Sequence, residues 1–501
     1  MLGRMVPCWR QWSCMGRANR EVLAPALAAL LGDGWRRPGE ASHALADALR
    51  ALVVDGRLAA RTRVPSERAL SAELGVSRGS VSRAYDRLRE DGYLLSARGA
   101  GSWLTLPAGA GAGPVAPPLP DATAVDPAPL DLSIAALPAP DPLLADAAAR
   151  AAAALPRHLA GHGYAPAGLM ELRAAIAARL TARGLATAPE EVLVTAGAQH
   201  ALHVILGLMA GPGERVLVDA PAYPRSLAAI RAARARAVPV PLGEDGWDVG
   251  AWEDTIRAAA PRLAVTVADF HNPTGLTMKA AARAALATAC ARAGTVLVVD
   301  ETTAELRLDG PPLPPPLGSF GPPGAVITVG TMSKSAWGGI RVGWIRATAR
   351  TVRELAATRA TVDMASPVLD QLLAVELLAR WDDVLASRRA LLKDRRAALH
   401  AALREHAPEW SARRVHGGLS LWARLPSPNA TTLAAAAARE GILVVPGPAF
   451  SVDGTFERHL RLPFSLPPED LERAVARLAA VGAEVAGAAS ARDEAGLATA
   501  I

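Results

Sequence analysis

Residues 330–341 read Gly330-Thr331-Met332-Ser333-Lys334-Ser335-Ala336-Trp337-Gly338-Gly339-Ile340-Arg341. One lysine stands among hydroxyls and glycines, with an arginine seven residues on. A lysine amine forms a Schiff base with an aldehyde, best when burial or a neighbouring cation lowers its pKa. The hydroxyls of Thr331 and Ser333 and the guanidinium of Arg341 suit a phosphate. An aldehyde and a phosphate on one ligand point to pyridoxal phosphate (PLP). Taken alone, the stretch fits a basic loop packed by glycines equally well. The decision rests on what lies upstream.

Working back from Lys334, apolar strands end repeatedly in polar residues. Val326–Val329 leads into the lysine loop. Thr295–Val299 is an almost wholly apolar strand, expected centrally in a sheet, with Asp300-Glu301 at its carboxyl end. A carboxylate there can pair with a protonated pyridine nitrogen. Leu263–Val267 precedes Asn272-Pro273-Thr274-Gly275, whose Asn272 amide can donate to a phenolate oxygen. Arg215–Asp219 runs towards Tyr223, which could stack on a flat ring or simply belong to the core. Val192–Thr195 meets Ala196-Gly197-Ala198-Gln199 at the start of an apolar helix. That small-residue turn is either an anion site or an ordinary strand-to-helix turn. Strands alternate with helices, so a mainly parallel α/β sheet is expected, with its ligand at the strand ends.

Downstream, long helices are expected over Thr351–Arg380 and Asp383–Glu405. A smaller α+β portion follows, around 417–422, 442–447 and 460–465. Arg461 lies between apolar residues and needs a partner, either a substrate carboxylate or an internal acid. From about Ala486 the sequence suggests a frayed tail. Upstream of the body, Pro107–Pro129 is Ala, Gly and Pro with hardly a charge, which suits a semi-extended linker.

The head, residues 41–106, has its own pattern. Leu45, Ala48, Leu49 and Leu52 share a helical face that Gly56 ends. Ser66 can cap a short helix with Ala69, Leu70 and Leu74 on its apolar side, and Gly75 permits a tight turn. Ser77 caps a second helix that buries Val81, Ala84, Tyr85 and Leu88 and leaves Arg78, Ser80 and Arg83 outside. That is helix-turn-helix spacing, with a polar helix start free for a major groove. Leu94–Leu104 reads as a hairpin with a glycine-rich tip, a wing.

Composition sets the bounds. At 501 residues the chain exceeds one core. Half of it is hydrophobic, yet no apolar run reaches the ~20 residues of a membrane span. Residues 1–40 are weakly patterned apart from a possible short helix over Glu21–Leu31, and no secretory signal is read there. Cys8, Cys14 and Cys290 have neither metal spacing nor a disulfide framework, so a cytoplasmic location is the default and no metal is expected. Residues 1–107 carry sixteen arginines, no lysine and ten acids, and so account for the whole formal charge of +6. A basic end on a neutral body suits a nucleic-acid module, as does an arginine-rich coding bias in a chain with three lysines.

The blocks Pro65-Ser66-Glu67-Arg68, Leu74-Gly75-Val76-Ser77-Arg78 and Asp91-Gly92-Tyr93-Leu94, in order with the wing, resemble the winged helix-turn-helix domain of GntR-type bacterial regulators. The resemblance implies that Arg68, Ser77, Arg78, Ser80 and the wing pair Arg98-Gly99 meet DNA. From about 131 to 485, Tyr164-x-x-x-Gly168, Ala196–Gln199, Tyr223, Asn272–Gly275, Asp300-Glu301, Ser333-Lys334, Arg341 and Arg461 follow the order seen in fold-type I aminotransferases. Together the two parts resemble the MocR subfamily of GntR regulators. The implied chain is a small α+β head, a linker over 107–130, a PLP-binding body over 131–485 with a small α+β C-terminal subdomain, and a tail over 486–501.

Carried over, Lys334 would hold the cofactor covalently, Asp300 its pyridine nitrogen, Asn272 its ring hydroxyl and Tyr223 its face. Gly197, Ala198, Gln199, Thr331, Ser333 and Arg341 would take the phosphate. Tyr164 would reach the phosphate of a partner subunit across a homodimer interface. Arg461 would bind the carboxylate of an amino-acid-like ligand, and Arg225 a second anionic group. One position departs from the family pattern: Thr303 stands where a tyrosine is commoner, and its shorter hydroxyl puts turnover in doubt. The resemblance implies a PLP-dependent regulator that senses a small amine, an amino acid or PLP itself. A working aminotransferase with an added head, and a decayed enzyme fold kept for dimerisation, are the alternatives.

Overall fold

The structure is a computed structural model. It describes residues 21–36, 41–97, 101–106 and 130–499, with residues 487–499 as backbone only. The expected linker therefore lies outside the described residues. Contacts divide the chain into a unit that ends at Thr105 and one that runs from Leu106 and takes in Ala51–Ala59.

The first unit contains α1 (Ala24–Leu31), most of α2 (Ala41–Val54), β1 (Arg63–Val64), α3 (Glu67–Leu74), α4 (Arg78–Glu90), β2 (Leu94–Ala97) and β3 (Gly101–Leu104). The turn chemistry is as expected. The Ser66 hydroxyl accepts from the Ala69 N–H at 3.2 Å and so opens α3. Gly75 closes it in the left-handed region, at φ 64°. Val81, Ala84, Tyr85 and Leu88 of α4 are buried, and the Tyr85 hydroxyl donates to the Pro65 carbonyl at 2.9 Å. Ala69 corrects the expectation: it is exposed, and Leu70 and Leu74 alone form the buried stripe of α3. Strands β1, β3 and β2 form an antiparallel sheet in that order.

The second unit opens with β4 (Leu130–Leu132), α5 (Leu143–Ala154) and α6 (Met170–Ala182). Alternating elements follow: β5 (Val192–Thr195), α7 (Ala198–Met209), β6 (Arg215–Ala220), α8 (Pro224–Ala232), β7 (Arg236–Gly243), β8 (Gly246–Trp247), α9 (Val249–Ala259), β9 (Leu263–Thr266), α10 (Ala280–Arg292), β10 (Val296–Asp300), β11 (Val326–Thr331) and β12 (Gly343–Arg346). Their sheet runs β5-β12-β11-β10-β9-β6-β7-β8. Pairings among β11, β10, β9, β6 and β7 are parallel, whereas β12 lies antiparallel between β11 and β5. Strand β10, apolar up to its terminal Asp300, is central, as its sequence requires. Leu202, Ile205 and Ile230 pack on one face of the sheet, and Trp252, Ile256 and Leu286 on the other.

The chain continues through α11 (Ala349–Arg359), α12 (Val368–Leu378), α13 (Trp381–His406), β13 (Ser411–Ala412), β14 (Ser420–Arg424), α14 (Ala430–Arg439), β15 (Ile442–Pro446), β16 (His459–Pro463) and α15 (Pro468–Thr499). Two expectations change here. The single helix over Thr351–Arg380 is two, because Pro367 disfavours helical geometry at Ser366 and starts α12 afresh. The backbone stays helical to Thr499, beyond the frayed end expected from Ala486. Segment β4, at the start of the body, pairs parallel with β15 in the small sheet β13-β14-β16-β15-β4. Among the described residues no helix is long and apolar enough to cross a membrane.

Candidate functional site

A cavity of about 380 Å³ lies at the carboxyl ends of β10 and β11 and reaches the small sheet. Asp300, the last residue of β10, lines it half-buried, and its Oδ1 accepts from the Thr302 N–H at 2.8 Å. Burial pushes its carboxyl pKa up, while the Thr302 hydrogen bonds, Lys334 and His271 pull the other way. Lys334 lies on the loop after β11, and its Nζ donates to the Ala135 carbonyl at 2.8 Å. Burial, with Arg461, Arg225 and Arg341 around it, lowers the amine to about 8 against the pull of Asp300.

The cavity also gathers Asn272, Tyr223, Ala198, Gln199, Thr303, Thr331, Ser333, Arg341, Arg225 and Arg461. Gly197 caps α7 beside it at φ 100°, and a Cβ there would come within 3.1 Å of the Arg341 guanidinium. Arg341 Nη2 donates to the Ala196 carbonyl at 2.6 Å, which fixes a cation beside the open N–H groups of the first turn of α7. Thr331 Oγ1 donates to the Val342 carbonyl at 2.9 Å and lies 3.0 Å from Ser333 Oγ. Gln199 Nε2 donates to the Arg225 carbonyl at 3.0 Å. Burial raises the pKa of Tyr223, and its hydroxyl is hydrogen-bonded with Arg225.

Arg461 is buried, and Nη2 donates to the Ser133 carbonyl. The guanidinium also lies 5.6 Å from the centre of the Phe450 ring. Its Nε is buried with no hydrogen-bond partner among the described residues, and burial lowers its pKa to about 10. Asn272 Oδ1 is buried and unpartnered in the same way. Such groups are costly to bury unmatched, so a polar ligand is the natural counterpart.

Two expected contributors stand apart. Tyr164 is 57% exposed and does not line the cavity of its own chain. Thr303 reaches the wall, but its hydroxyl donates to the Asp269 carbonyl at 3.0 Å and is committed to backbone. The Ser133–Ala135 strap, Thr302 and Phe450 were missed by the sequence reading. The strap has no motif, and long-range pairing of β4 alone brings it to the site.

On the head, Arg68 and Arg78 are exposed, and Arg78 Nε lies 3.7 Å from Glu67. Ser77 Oγ accepts from the Ser80 N–H at 3.0 Å and lies 2.9 Å from Ser80 Oγ, so this hydroxyl pair closes the start of α4. Arg98 and Gly99 lie outside the described residues.

The geometry has its counterpart in known proteins. Residues 130–478 match the class I and II aminotransferase family, and residues 41–103 match the gntR family of bacterial regulatory proteins. The HTH-type transcriptional regulator TauR of Rhodobacter capsulatus is 30% identical over 485 residues, covering 88% of this chain and 96% of TauR. The chain is a MocR-type GntR regulator. The probable rhizopine catabolism regulatory protein MocR of Rhizobium meliloti is 32% identical to this MocR-type chain over 325 residues, 60% of it and 64% of the relative. The body also superposes on the crystal structure of LysN, an alpha-aminoadipate aminotransferase from Thermus thermophilus complexed with N-(5'-phosphopyridoxyl)-L-leucine. There the TM-score is 0.66 and the identity 31%, over 72% of this chain and 93% of LysN. The MocR-type regulator is thus PLP-dependent, with a head of DNA-binding type. The lysine amine of lowered pKa, the carboxylate at the end of β10 and the arginine-flanked glycine turn of its cavity fit that cofactor.

Proposed function

We propose that this MocR-type regulator takes PLP on Lys334 and senses a small amine or amino acid in the same cavity. It does so as a cytoplasmic homodimer that binds an operator through α4. Bound, PLP supplies an aldehyde that captures primary amines and a ring that withdraws electrons. The chain supplies the rest. Lys334 offers an amine whose lowered pKa leaves it reactive near neutrality. Asp300 would hold the pyridine nitrogen, Asn272 the ring oxygen and Tyr223 the ring face. Arg341, Thr331, Ser333 and the turn at Gly197, Ala198 and Gln199 would hold the phosphate. Tyr164 is assigned to a partner's phosphate, and its exposure is compatible with that role.

The observation that carries the reading is the shared cavity of Lys334 and Arg461. The amine that would carry the amine-capturing aldehyde and a buried guanidinium with an unused N–H face one space, which suits an amino-acid ligand. Arg225 supports a second anionic group on that ligand. Absorbance titration of the purified protein with amino acids, polyamines and ω-amino acids tests this. One compound class should perturb the visible cofactor band. Lys334→Ala should lose the band, and a persistent borohydride-reducible band in that variant would overturn the assignment.

Turnover as an aminotransferase is the second reading, favoured by the Lys334 amine at about 8, which suits proton transfer as well as binding. The committed Thr303 hydroxyl favours sensing instead. Steady turnover that requires a keto-acid acceptor would decide for the enzyme. For the head, Arg78→Ala should weaken operator binding at matched salt, and unchanged affinity would remove Arg78 from the interface.

A further inference from the structure

His200 sits in the first turn of α7, and the cofactor assignment gives it no role. Its side chain is 13% exposed. Nδ1 accepts a hydrogen bond from the Ala196 N–H at 3.0 Å. An amide N–H can be accepted only by an unprotonated ring nitrogen, so the imidazole is neutral with its proton on Nε2. Burial, aided by the nearby Arg359, His203 and Arg341 charges, lowers the His200 pKa and favours that neutral form, against the pull of Asp363. Nε2 is buried with no hydrogen-bond partner among the described residues. Asp363 Oδ2 is 3.7 Å away, outside hydrogen-bond reach, and is held by Arg359 at 3.1 Å.

The two peptides that meet at Ala196 are therefore both held. His200 takes the N–H of the Thr195–Ala196 peptide, and Arg341 binds the carbonyl of the Ala196–Gly197 peptide at 2.6 Å. Across the same turn, Thr195 Oγ1 donates to the Gly197 carbonyl at 3.1 Å. These contacts set the direction of the glycine turn, and with it the direction of the free N–H groups of Ala198 and Gln199. Without an acceptor at His200 the Ala196 N–H is left unsatisfied beneath the turn, and the peptide is free to rotate that donor elsewhere.

We propose that His200 is a positioning residue for the phosphate end of the cofactor site, acting through the Thr195–Ala196 peptide without touching the ligand. This rests on the reading of the cavity as the PLP site. A residue that merely fills space would affect any ligand of the cavity, whereas one that aims the turn affects the phosphate alone.

The test compares PLP with pyridoxal, which lacks the phosphate, by visible absorbance on the full-length chain after removal of bound cofactor. His200→Phe keeps a ring and removes the acceptor. His200→Leu removes it with a different shape, so a folding defect in one does not decide the matter. Each should weaken PLP binding about tenfold and leave pyridoxal affinity within about twofold. His200→Asn, whose amide oxygen can take the place of Nδ1, should restore most of the PLP affinity. Unchanged PLP affinity in the Phe and Leu variants, or equal losses for both ligands, would overturn the proposal. Wild-type protein that forms no band with PLP would overturn the cofactor reading itself, and the proposal with it.

Discussion

Lys334 carries the sharpest residue-scale consequence, because its environment fixes the pH at which its charge is tolerated. Unfolded, the amine holds its proton to about 10.5; folded, it releases it near 8. Between those values the unfolded chain binds more protons, so stability rises with pH across that window. Below pH 8 both states are protonated and the cost of the buried charge is fully present. Cofactor-free wild-type protein should therefore be less stable than Lys334→Met at pH 7, by at most a few kcal/mol, and the gap should close as pH rises from 8 towards 10. Parallel stability profiles from denaturant titration would show that the amine is not so perturbed. The lysine, Asp300 and Arg461 were legible in the sequence because each is a charge among apolar or small residues, which chemistry must explain. His200 and Ser133 were not. Their parts are played through a ring nitrogen and a backbone carbonyl, and neither leaves a pattern in residue type.

At the scale of elements, β12 is held more tightly than its four residues suggest. It runs antiparallel between β5 and β11, and Gly343 faces both neighbours. A Cβ at Gly343 would lie 2.7 Å from the Gly197 backbone and 2.8 Å from the Gly330 carbonyl. Backbone cannot yield as a side-chain tip can. Gly343→Ala is expected to cost about 1–3 kcal/mol or more and to lower PLP retention, because Gly197 and Thr331 flank the same cavity. An unchanged melting temperature and unchanged cofactor content would contradict that packing. The parallel strands were legible because buried strands are apolar runs followed by small or polar turns. Strand β12 was hidden behind the motif that precedes it. The break between α11 and α12 was missed although Ser366-Pro367 marks it, since apolar spacing on both sides suggested one continuous helix.

For the whole molecule, several exposed apolar residues of the body fall in two short segments. Leu159, Tyr164 and Met170 are 53–67% exposed, and Val362, Met364 and Leu369 are 44–52% exposed. The turn after α5 packs on α12, so the two segments are neighbours. An apolar area of that kind on a folded body is the signature of an interface. In solution the protein is expected at twice its 51.8 kDa. Met364→Glu with Leu369→Glu should yield monomers that hold PLP more weakly, if the partner's Tyr164 completes the phosphate site. Light scattering decides; a wild-type monomer, or a double variant that stays dimeric, would refute it. The division into head and body was legible from charge and composition, whereas the placement of β4 in the small sheet was not, since three residues carry no periodicity. The antiparallel β12 also bears on time. Strand β5 is made early, yet its neighbour arrives some 150 residues later, at Gly343–Arg346. Until then the turn after β5 has no outer wall, and Arg341 has not reached Ala196. A growing chain can thus lay down most of its sheet before it can recognise a phosphate, so cofactor capture should come after the bulk of folding. Refolding followed by circular dichroism and by the visible band together should show the second signal trailing the first.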